Sequence, residues 1–167
     1  MRWIEECKII NNDVELLDCV GNPANRNSLS IGQVLGVWEL PGRAASVQPA
    51  RRSVADVLRK VGWSDSGNAE LLTSELVSNA IKHSESGRQP DGRVIVVVID
   101  CGGSCRIEVF DGGSSSSVPQ AATEFDLVGE SGRGLWLVRE TALEWGWRTS
   151  GAGRVVWFRT EKDGSPA

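Results

Sequence analysis

Three patterns in the chain point to an α+β protein built as a two-layer sandwich, a mostly antiparallel sheet covered on one face by three helices. Arg93 to Asp100 and Cys105 to Asp111 are two strand-like runs around a Gly102-Gly103 turn, which reads as a hairpin. Trp145 to Thr149 and Arg154 to Thr160 form a second hairpin across Gly151-Ala-Gly153. Three amphipathic stretches supply the covering layer.

The 167 residues suffice for one compact domain with a real core and are too few for two full-sized ones. Residues 1 to 33 sustain no period. Asn11, Asn12, Asn22, Asn25 and Asn27 gather around Gly21 and Pro23, and Val14 to Leu17 has room for one helical turn. A mobile arm or loosely docked extension is expected; a partner-binding tail and a translation start further downstream are the alternatives. The domain proper is expected to span residues 34 to 161, with 162 to 167 a frayed tail.

Val34 to Leu40 reads as a short strand stopped by Pro41-Gly42. Ser46 can cap a helix from Val47 to Val61, with Pro49 in its first turn and Val54, Val57, Leu58 and Val61 on its buried side. Gly62 ends it, and Ser64-Asp65-Ser66 opens the next helix. There Ala69, Leu72, Leu76, Val77, Ala80 and Ile81 make one apolar face, bordered by Glu75, Asn79 and Lys82. Residues 112 to 131 hold Gly112, Gly113, four consecutive serines, Pro119 and Gly129, and read as a long flexible loop. Gly132-Arg-Gly134 then leads into an amphipathic helix from Leu135 to Leu143.

A net charge of −4 gives no electrostatic footprint for nucleic acid or for an anionic membrane surface. The longest apolar run, Val94 to Ile99, is far short of a membrane span, and acids stand near the N-terminus where a signal peptide needs basic and then apolar residues. A cytoplasmic protein is expected. Four scattered cysteines make no disulfide scaffold, so Cys101 and Cys105 are expected as free thiols, and a single histidine offers no zinc set. The seven tryptophans are expected in core and edge packing.

Glu75, Asn79 and Lys82, spaced i, i+4, i+7, supply a base, a neutral oxygen for a metal ion and a phosphate counter-charge, or else simply a solvated helix flank. Asp111 ends a row of core-facing positions, Cys105, Ile107 and Val109. Its carboxylate needs a donor there, either adenine's exocyclic amino group or its own turn. Gly132 and Gly134 allow close backbone approach ahead of a helix N-terminus, where free N–H groups suit an anion. The Gly129-x-x-Gly132-x-Gly134 spacing has no strand running into it, and no Gly-Lys-Ser/Thr P-loop occurs.

Over residues 34 to 161 the order and spacing of these features resemble the GHKL, or Bergerat-fold, ATP-binding domains, specifically the actinobacterial anti-sigma-factor serine kinase branch. Glu75-Leu-Val-Ser-Asn79-Ala-Ile-Lys-His83 resembles the N-box, Val109-Phe-Asp111-Gly-Gly113 the G1 box, and Gly132-Arg-Gly134-Leu-Trp-Leu the G2 box. The resemblance implies ATP with Mg²⁺ held by Asn79, and Glu75 as the catalytic residue that orients or deprotonates the attacking hydroxyl. It further implies that Lys82 offsets phosphate charge, Asp111 accepts from adenine N6, and Gly113 lets the base pack close. Gly132, Arg133, Gly134 and Leu135 would form the hinge and phosphate end of the lid. His83 is read as a buried, structurally bonded imidazole or as a ligand contact.

The implied partners are a sigma factor and a STAS-type anti-anti-sigma protein that receives phosphate on a serine, with a homodimer left open. One departure stands out: Ser115 occupies the place of the second G1 glycine. It favours an alternative, an ATP-responsive binding module without turnover. The catalytic half of a two-component histidine kinase fits less well, because no dimerisation helix with a phosphoacceptor histidine precedes the domain.

Overall fold

The structure, a computed structural model, describes residues 9–10, 13–14, 32–114, 133–150 and 153–162. In chain order its elements are β1 (Ile9–Ile10), β2 (Asp13–Val14), β3 (Gln33–Pro41), α1 (Val47–Lys60), α2 (Gly67–His83), β4 (Arg93–Asp100), β5 (Ser104–Asp111), α3 (Arg133–Thr141), β6 (Glu144–Ser150) and β7 (Gly153–Glu161). One sheet holds every strand in the order β1-β2-β3-β4-β5-β7-β6, and all neighbours are antiparallel. The final hairpin therefore enters with its second strand inward: β7 pairs with β5 and leaves β6 at the edge.

The three helices lie on one face, and the core is the layer between. Val54 and Leu58 of α1, Leu72, Leu76 and Val77 of α2, Val138 of α3, and Val94, Val96, Val98, Ile107, Val109 and Phe158 of the sheet form one continuous cluster. Alternation along β5 aims Cys105, Ile107, Val109 and Asp111 into this layer, as the pattern required. One expected core position falls outside it, Val61, exposed beyond the end of α1, and Leu143, expected as the last residue of α3, lies exposed beyond that helix. Thr73 is buried instead, because its hydroxyl donates to the Ala69 carbonyl one turn back at 2.6 Å.

Several local expectations are corrected. Ser46 does not cap α1; its backbone is helical within a preceding 3-10 turn, Ala44–Ser46, and its hydroxyl donates to the Pro41 carbonyl at 2.6 Å. Val14 is a strand residue rather than the start of a helical turn, with Asp13 paired to Gln33 of β3. Gly134 lies inside the first turn of α3 rather than ahead of it. Ser115 to Ser117 of the serine run and Gly132 lie outside the described residues.

The other face of the sheet carries a second apolar cluster, Ile95, Val97 and Ile99, beside a buried charge cluster. Arg106 Nε donates to Glu108 Oε1 at 2.7 Å, both side chains being at most 5% exposed, and Arg148 Nη2 reaches Glu108 Oε2 at 3.1 Å. The Arg106 guanidinium lies 3.8 Å from the ring centre of Trp157. Trp38, Trp63 and Trp145 pack in or against the main core, and Trp147 on β6 is exposed. Cys105 belongs to the inner core and Cys101 packs against the outer cluster, so the two hairpin cysteines form no disulfide with each other. Burial pushes the Cys105 thiol pKa well above its ordinary value.

Glu108→Ala leaves Arg106 buried without its counter-charge and is expected to cost about 3–5 kcal/mol in denaturant unfolding. Arg148→Ala removes the half-exposed partner and is expected to cost under about 1 kcal/mol.

Candidate functional site

The candidate residues gather at two places, one along the second half of α2 and one just past its C-terminus. Helical spacing buries Leu72, Leu76 and Ala80 and leaves Glu75 and Asn79 half-buried on the border, one turn apart. Against that border α3 begins. A methyl group built on Gly134 would collide with the Glu75 carboxylate and come within 3.3 Å of Asn79 Nδ2. The absence of a side chain at Gly134 is thus what lets the start of α3 reach Glu75 and Asn79. The N-terminus of α3, the end of a helix that suits an anion, thus stands beside a carboxylate and a carboxamide.

The second place is built by a hydroxyl relay that the sequence reading missed. Ser84, fully buried just past α2, donates to the Ala80 carbonyl at 2.6 Å and accepts from the Ser86 N–H at 3.1 Å. Ser86 Oγ donates to the Arg93 carbonyl and accepts from the Gly112 N–H at 2.8 Å. The Glu85 N–H donates to the Gly113 carbonyl at 2.8 Å. The C-terminus of α2 is thereby fastened to the end of β5. The only sequence sign of this was two small hydroxyls, in His83-Ser-Glu-Ser86, where a helix-terminating glycine is commoner.

Asp111 sits at that fastened end with its side chain only 1% exposed. Oδ1 accepts from the Gly113 N–H at 2.7 Å, and Oδ2 accepts from Arg154 Nη2 at 3.1 Å and Nε at 3.3 Å. Burial raises its pKa above the usual carboxylate value, against the opposing pull of Arg154 and the Gly113 N–H. Gly113 takes φ +67°, a left-handed conformation that opposes a side chain, with the Gly153 backbone close by. Arg154 was named in the sequence only as the start of a strand.

The structure therefore gathers Glu75, Asn79 and Gly134 at one place and Asp111 and Gly113 at another, both against α2. Leu135 is half-buried and packs on the core. Lys82 and His83 are exposed on the last turn of α2. The buried-imidazole reading of His83 is corrected: Ser84 takes the buried position there, since its hydroxyl satisfies the helix's own carbonyl. Arg133 opens α3, and Gly132 lies outside the described residues.

The histidine kinase-like ATPase domain family matches residues 40–160, most of the chain. The chain belongs to that family. No curated protein matches it significantly in sequence. The match runs from the last two residues of β3 into β7 and agrees with the helix-covered antiparallel sheet. It implies ATP as ligand and Mg²⁺ as its usual companion ion. The border of α2 fits both in its chemistry, since Asn79 carries a carboxamide oxygen suited to a metal ion and the N-terminus of α3 beside it suits an anion. Among the described residues no helix is long and apolar enough to cross a membrane.

Gly113→Ala is expected to destabilise the domain by about 1–2 kcal/mol, measured by thermal unfolding, because the left-handed backbone penalises Cβ. Gly134→Ala is expected to keep or raise stability, since alanine is favoured in helices by about 1 kcal/mol. The same variant should weaken Mg-ATP binding in calorimetry by displacing the Glu75 carboxylate.

Proposed function

We propose that this protein binds Mg-ATP and acts as an anti-sigma-factor-type serine kinase, phosphorylating a serine of a STAS-type anti-anti-sigma partner and sequestering a sigma factor. The observation that carries this reading is the meeting of Glu75 and Asn79 with the glycine-opened N-terminus of α3 in a histidine kinase-like ATPase domain. A protein kinase needs few groups of its own, because phosphoryl transfer rests on positioning and electrostatic stabilisation.

In this reading Asn79 would hold Mg²⁺, whose role is to neutralise charge on the phosphates. The N–H groups of the first turn of α3 bind phosphate oxygens, with Arg133 and Gly132 completing that end. Lys82, exposed on the last turn of α2, offsets the remaining negative charge. Glu75 accepts the proton of the partner's serine hydroxyl as its oxygen bonds to the γ-phosphorus and the bond from that phosphorus to the β–γ bridging oxygen breaks, with ADP as the leaving group. Asp111 and Gly113 form the base end, Leu135 lines the phosphate side, and His83 contacts ligand from its exposed position.

A second reading, an ATP-responsive protein-binding module without turnover, is supported by Ser115 in place of glycine. It is also supported by the three hydrogen bonds the protein already makes to Asp111. The two readings part on one assay, in which purified protein, Mg-ATP labelled in the γ-phosphate and candidate anti-anti-sigma proteins are incubated together. Phosphoserine is expected on the partner, with Glu75→Gln slowing its appearance by about 10²-fold or more. Nucleotide-dependent capture without phosphoserine, and no effect of Glu75→Gln, gives the result to the second reading.

A further inference from the structure

The base end of the site contains a contact that competes with its expected ligand. Asp111 in β5 and Arg154 in β7 are directly paired across the sheet, so their side chains leave the same face toward the helices. The pair is closed and dry, with exposures of 1% for the carboxylate and 8% for the guanidinium. Gly113 holds one carboxylate oxygen and Arg154 holds the other through two nitrogens, and with its side chain 1% exposed Asp111 is closed off by the protein around it. An adenine 6-amino group is a neutral donor offering one N–H in this direction, whereas Arg154 brings its own positive charge and two N–H groups to the same carboxylate, so the contact to be replaced is the stronger one.

We propose that Arg154 is a specificity-determining residue of this site: adenine nucleotides reach Asp111 only by exchange with the Arg154 guanidinium, which therefore sets their affinity. This rests on the nucleotide-binding reading above and adds to it a residue that opposes base capture. The exchange is physically reasonable at this position. Arg154 is the second residue of β7, beside the strand's beginning at Gly153, and its cross-strand neighbour on β6, Thr149, is exposed, so water lies a short swing away. Asp111 does not move in the exchange, because the Gly113 N–H and the Ser86 hydroxyl on Gly112 hold its backbone surroundings.

The test is isothermal calorimetry of the full chain with Mg-ATP and Mg-GTP for wild type, Arg154→Ala, Arg154→Gln and Arg154→Ala/Asp111→Asn, each checked for folding by circular dichroism. ATP is expected to bind Arg154→Ala at least about 10-fold more tightly than wild type, a gain of about 1.4 kcal/mol. Arg154→Gln, which keeps a neutral donor on Asp111, should lie between them and carries the test if the alanine variant does not fold. The double variant should lose the gain, which places the effect on Asp111. Equal or weaker ATP binding by the folded single variants overturns the proposal while leaving nucleotide binding intact. A wild type that prefers GTP and loses it on Arg154→Ala also overturns it, since Arg154 would then be a base contact. Failure of all four proteins to bind either nucleotide removes the nucleotide-binding reading itself, and this proposal with it.

Discussion

The burial of one face of α2 against the sheet is the constraint on which both ends of the site depend. Leu72, Leu76, Val77 and Ala80 are at most 3% exposed, and each large apolar side chain buried in this way contributes about 1.5–3 kcal/mol. A hydrogen bond made by a border residue contributes about 1 kcal/mol net, so the apolar contacts decide how the helix is rotated. Glu75 and Asn79 then have no freedom to leave the border, since turning the helix by one residue, about 100°, would drag the core positions into water. The chemistry sits where packing puts it.

Rotation alone does not fix where the helix ends relative to the sheet. That is set by Ser84 and Ser86, buried hydroxyls that each donate to one carbonyl and accept from one N–H. A buried polar group is costly unless it is bonded, so satisfaction of both serines holds one arrangement of the α2–β4 connection. The arrangement carries Gly112 and Gly113 with it and keeps Asp111 at a set depth. The Glu75–Asn79 pair and Asp111 are thereby measured from the same helix.

The sheet is buried on both faces at β4, where Val94, Val96 and Val98 face the helices and Ile95, Val97 and Ile99 face the other way. This accounts for its nearly unbroken β-branched sequence, which lacks the alternation of a strand with one wet side. On the outer face β5 carries Arg106 and Glu108, which are tolerable there only because they pair with each other and with Trp157 and Arg148. One strand thus serves an apolar layer on one side and an ionic one on the other.

The helices, the β4–β5 hairpin and the row from Cys105 to Asp111 were legible in the residue order, because repeats of 3.6 and 2 depend only on the local chain. So were Glu75 and Asn79, whose separation of one turn is fixed within a single helix. Three things were not legible: the inward position of β7, the serine fastening past α2, and the ion pair between Asp111 and Arg154. The last joins residues 43 positions apart, and it exists because β7 rather than β6 lies beside β5. Strand order is chosen by the summed packing of whole faces, a quantity no short window of residues contains, so only the assembled sheet could say which side chain stands opposite the acid.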